Sequence, residues 1–134
     1  MEQIQVPVSP GELLDKITIL EIKSERMSDA GKLANVRREL SILNATWSES
    51  VSADATIDRI HADLKRINET LWEIEDDIRN KERAGEFDDR FIELARAVYV
   101  TNDQRAAAKK ELNLYLGSDI VEEKSYADYH ADSA

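Results

Sequence analysis

Asn68, Trp72, Glu75, Asp76 and Arg79 recur at spacings of three and four residues. On a helix that spacing gathers them on one side. Trp offers a large rigid face, and Arg a planar fork for carboxylate, phosphate or hydroxyl groups. A second set of similar chemistry follows in Arg96, Tyr99, Asn102, Asp103 and Arg105. If the two sets meet, they enclose a pocket with an aromatic wall and fixed charges, suited to a small anionic or sugar-like ligand or to another protein. The competing reading is an ordinary network of interhelical ion pairs.

Two more residues join these candidates. Glu21 interrupts the apolar run Ile17-Thr18-Ile19-Leu20-Glu21-Ile22, and a carboxylate buried there without a partner costs several kcal/mol. Lys16, Lys23, Lys32 or Arg26 is the expected partner; the alternative is an acid facing a ligand. Tyr126 lies in the tail and is expected to contribute to the same recognition surface.

Spacing tests two enzyme readings. Helical pyrophosphohydrolases hold Mg²⁺ with carboxylates one turn apart on two helices, because the ion takes several hard oxygens. Glu73 with Asp76 supplies one such pair, but the counterpart reads Glu93 with Arg96, a cation where a ligand is needed. Helical mutases of the chorismate type gather several cations around a dicarboxylate; Arg26, Arg79, Arg96 and Arg105 are present without a matching spacing. No Ser-His-Asp or Cys-His arrangement and no glycine-rich phosphate loop occurs. His61 beside the seam and His130 in the tail read as surface residues. No catalytic residue is assigned and no cofactor is expected.

These side chains need rods to hold them. Ile57, Ile60, Leu64, Ile67, Leu71, Ile74 and Ile78 alternate gaps of three and four, a heptad seam on a helix spanning residues 54–84. Leu at the a positions with Ile at d favours a four-helix cross-section. Ser9, Pro10 and Glu12 spell a capped start for a helix over residues 9–28. Leu33, Val36, Leu40, Leu43 and Trp47 form a stripe on a helix over 31–48, and the short link to residue 54 predicts that it pairs antiparallel with the long third helix. A fourth helix is expected over 88–116, with a kink or restart at Thr101-Asn102-Asp103. Ile4, Val6 and Val8 alternate along an extended arm over residues 1–8, expected to lie across its own helices, the alternative being that it pairs with something outside, and residues 117–134 form a tail.

Composition narrows the partners. The 134 residues carry a formal charge of −10, which opposes phosphate backbones, so nucleic acid is not expected. There is no cysteine, hence no disulfide or thiolate metal site, and no apolar window long enough to span a membrane. A cytoplasmic protein is the expectation.

Four stretches, SPGELLDKITILEIKSERM, LWEIEDDIR, FIELARAVYVTNDQRAAAKKELN and GSDIVEEKSY, together resemble a family of small bacterial and phage proteins described only as a domain of unknown function. The resemblance implies an all-helical domain without an assigned activity or ligand, and a setting near sugar-transfer or surface-polysaccharide functions.

The sequence thus predicts an all-α antiparallel four-helix bundle with a long hairpin, an N-terminal arm and a C-terminal tail, forming a single helical domain that pairs as a homodimer. The function expected is a non-enzymatic binding or interaction module. The alternative is a small-molecule enzyme or accessory of a carbohydrate or nucleotide-sugar pathway, with Mg²⁺-dependent nucleotide hydrolysis behind it.

Overall fold

The computed structural model describes residues 1–131. Within them the chain is all-helical, in a four-helix bundle: α1 (Pro10–Arg26), α2 (Ala30–Ser50), α3 (Ala55–Ala84) and α4 (Asp89–Tyr115). Every helix opens on an oxygen-bearing cap. Ser9, Asp29, Asp54 and Asp88 each accept from the backbone N–H three residues on, satisfying one donor that the helix itself leaves free. Glu12 does not reach back to complete the box at Ser9; its carboxylate accepts from Lys109 at 2.8 Å instead.

The long hairpin is built from α3 and α4, not from α2 and α3. Gly85 takes a left-handed conformation (φ 67°) that ends α3 and lets the chain reverse within four residues. Ion pairs then mark an antiparallel register along the rods: Lys81–Asp88 at 2.9 Å, Arg90–Asp77 at 3.9 Å and Arg59–Glu111 at 2.7 Å. Tyr115 donates to Asp54 at 2.5 Å and closes the far end. Helix α2 lies against α1 alone at the level of the backbone, burying Val36, while Trp47 and the following Val51 pack on the central cluster. The reason is α1. Its apolar residues run nearly all the way round, so it needs a cover on two sides, and α2 supplies one while the hairpin supplies the other.

The core sits where α1 meets the lower half of the hairpin. Leu14, Ile57, Ile60, Leu64 and Leu112 are buried together, each worth about 2 kcal/mol of transfer free energy. At its first turn α1 approaches α4 closely enough that Gly11 donates to Asn113 Oδ1 at 2.7 Å. A Cβ on Gly11 would stand 2.5 Å from the Lys109 carbonyl oxygen, so only glycine permits this approach.

Two further expectations are corrected. Helix α4 runs unbroken through Thr101-Asn102-Asp103; Thr101 is buried inside the helix and caps nothing. The N-terminal arm does not bury its apolar side on its own helices: Ile4, Val6 and Val8 are all exposed. The tail does fold back along α4, through Lys109–Glu122 at 3.1 Å and packing of Tyr129 on Tyr99 with ring centroids 5.0 Å apart. Residues 132–134 of the predicted tail lie outside the described residues.

Candidate functional site

Helix α1 diverges from α4 as it ascends, and that divergence makes the site. Its first turns hold α4 through Asn113, Lys109 and Arg105, whereas its last turn holds α3, with Arg26 3.4 Å from Glu69 and 3.5 Å from Glu73. Between the diverging helices a groove of about 460 Å³ opens, floored by Ile19, Ile22 and Leu71 and walled by Trp72. Such a volume falls in the range of small-ligand pockets. Asn68, Glu75, Asp76 and Arg79 of α3 and Asn102 and Arg105 of α4 form its polar rim. The two sequence sets therefore meet, though only in part.

Beneath the rim lies a polar network whose centre, Asp15, sequence reading missed. Asp15 is 1% exposed and accepts from Asn68 Nδ2 at 3.0 Å and from Arg105 Nε at 2.8 Å, with Arg105 Nη2 closing a bidentate pair. Asn68 also donates to Thr18 Oγ1 at 3.0 Å. Hydrogen bonding to Asp15 holds the Arg105 guanidinium above its ordinary pKa, against the cost of burial. In sequence, Asp15 reads as one polar residue in the first turns of a helix; only the approach of Asn68 and Arg105, 53 and 90 positions away, reveals its role.

Glu21 has a partner, but none of the four expected. His61 Nε2 lies 2.7 Å from Glu21 Oε1, so the histidine read as surface is an α1–α3 contact. Lys16, Lys23, Lys32 and Arg26 are not its partners, because α1 and α3 run in the same direction and place His61 beside it. Glu73 faces Arg26, away from the groove rim where Asp76 stands, so the two weak metal candidates point to different neighbours. Among the described residues no group of three or more His, Asp or Glu is placed to hold a metal ion.

The charges of the groove are largely spent on one another. Arg105 holds Asp15, and Arg79 donates to Glu75 at 3.0 Å. Among the described residues Asp76 makes no ion pair, and it leaves the rim with one uncompensated negative charge.

The other predicted residues fall elsewhere. Tyr99 lines a separate hollow of about 370 Å³ between α4 and the tail, with Asp103, Lys124 and Tyr129; Tyr126 lines it too, and also borders a second hollow with the rim residues Asn102 and Arg105. Arg96 is exposed and lines none of these hollows. Between the two lies a charged cluster: Lys109 is shared by Glu12 and Glu122, which hold its ammonium above the ordinary lysine range although burial opposes them. Lys124 and then Lys109 draw the Glu122 carboxyl down to about 2.

No helix among the described residues is long and apolar enough to cross a membrane. No curated protein and no solved structure matches the chain. One family model does, over residues 4–132, nearly the whole length, and on that match the chain belongs to the family of unknown function DUF6165.

Proposed function

We propose that this chain is a helical binding module whose recognition surface is the groove between α1, α3 and α4. The observation that carries the reading is the groove itself: an apolar floor, a half-buried Trp72 wall and a polar rim pinned from below by the Asp15–Arg105 pair. A preorganised rim loses little side-chain entropy on binding, which favours recognition. Because both arginines of the rim already carry carboxylates, the groove favours a neutral sugar-like ligand or a protein segment over a free anion. The cysteine-free composition fits a cytoplasmic setting.

Comparing what is captured by the wild type and by Trp72→Ala tests this. Loss of the wild-type partners on removing Trp72, with retention on replacing Arg96, supports the groove. Unchanged capture by Trp72→Ala, Arg79→Ala and Arg105→Ala overturns it. The second reading, an accessory of a carbohydrate or nucleotide-sugar pathway, rests on the same volume and predicts a rise in melting temperature with sugars, sugar nucleotides or Mg²⁺–nucleotide, since a ligand of the folded state stabilises by mass action. A flat panel counts against it.

A further inference from the structure

Beyond the end of α1 the α3–α4 hairpin continues as two helices alone, although its Leu and Ile pattern suits four. Leu71 and Ile78 of that seam stay only partly covered, and the turn at its tip exposes Phe87 to 61% of its surface. Phe87 stacks edge-on against Phe91, with ring centroids 5.2 Å apart, so the tip presents a preformed aromatic knob. The open stripe of α3 on the groove side reads Trp72, Asp76, Arg79, Arg83: an aromatic and acidic half followed by a basic half. Such a sequence of charges is complementary to itself when reversed.

We propose that the groove is filled by a second copy of this chain, in a two-fold antiparallel pairing of the α3 stripes. The inference rests on the groove being a recognition surface, and it names the occupant. With the axis passing between Asp77 and Ile78, Asp76 faces the partner subunit's Arg79, and Trp72 faces the partner subunit's Arg83. The uncompensated carboxylate of the rim thereby shares a guanidinium that Glu75 engages through Nε alone, its two terminal nitrogens being turned to the partner, and the indole face gains a guanidinium, a favourable cation–π arrangement. The same register sets Leu71 level with the partner subunit's Ala84. From Trp72 to Ala84 the helix rises about 18 Å, so each tip reaches the other's groove and lowers its Phe87 knob toward the floor of Ile19, Ile22 and Leu71. Because a two-fold interface is isologous, every contact occurs twice and the cross-section at the tips becomes four helices.

Light scattering on the purified chain across a concentration series tests the pairing. The wild type is expected at twice the chain mass. Asp76→Arg and Arg79→Asp each set like charges across the axis in two places, and each is expected to weaken the dimer at least tenfold. Mixing the two variants restores opposite charges at both places, so a heterodimer is expected to form where neither variant pairs alone. Phe87→Ser is expected to weaken the dimer without changing the charges. All three positions are exposed, so far-UV circular dichroism should match the wild type. A wild type that stays monomeric throughout, or an Asp76→Arg variant that dimerises as well as the wild type, overturns the proposal. Either result removes the second copy as occupant and leaves the capture and ligand comparisons to decide the groove separately.

Discussion

Replacing Arg105 by Met should destabilise the fold more than replacing the buried carboxylate it holds. Asp15 is 1% exposed, whereas the Arg105 side chain is 31% exposed. Losing the arginine leaves a charge in the interior with only the Asn68 amide to solvate it. Removing one partner of a buried pair costs about 3–5 kcal/mol, and the lower end applies because water reaches the Arg105 side. Asp15→Asn acts the other way. The new amide oxygen still accepts from Asn68, and the guanidinium turns toward water, for a cost of about 1 kcal/mol. The two together should be milder than Arg105→Met alone, because no charge is left inside; Asp15→Asn added to Arg105→Met should restore about 2 kcal/mol. Urea unfolding followed by circular dichroism measures each cost as a change in midpoint at constant slope. A single Arg105→Met cost below about 1 kcal/mol, or a double variant as unstable as the sum of the singles, would refute the reasoning that this pair matters through burial.

Three other outcomes are expected. Gly11→Ala should cost about 2 kcal/mol by overpacking, since the added Cβ meets the α4 backbone at Lys109 rather than a movable side chain; thermal unfolding measures it. Gly85→Ala should cost about 1 kcal/mol because the position is left-handed, although nothing crowds a Cβ there, so chemical denaturation separates backbone strain from clash. Attachment of the tail should depend on acid. The Glu122 carboxyl is drawn from an ordinary 4.5 to about 2, first by Lys124 within the tail and then by Lys109 of α4, so the Lys109 tether is complete above about 4.5 and disappears as pH falls through 2. The ring shifts of Tyr129 over Tyr99 should follow that loss in NMR spectra, and Glu122→Gln should loosen the tail at neutral pH without releasing Tyr129 from Tyr99.

Much of the architecture was legible before any coordinates. Ser9-Pro10 and Asp54 mark helix starts by local hydrogen bonding, and Gly85 marks an end by its φ, so nothing distant is needed to recognise them. The same holds for the seam from Ile57 to Ile78, whose positions share a side through helical geometry alone. The pairing of rods was less accessible. The heptads of α2 fit α3 as well as they fit α1, and a stripe carries no address; which rod covers which followed from α1 being apolar all round.

The candidate site divides along the same line. Trp72, Asp76 and Arg79 share a face because they share a helix, and that much the order of residues determined. Asp15, His61, Lys109 and Asn113 gain their roles from residues tens of positions away, so their spacing said nothing. Local periodicity fixes where a side chain points around its own axis. Only the crossing of α1 over the hairpin decided which of those directions met protein and which opened into a groove, because the distances between helices depend on packing summed over the whole core.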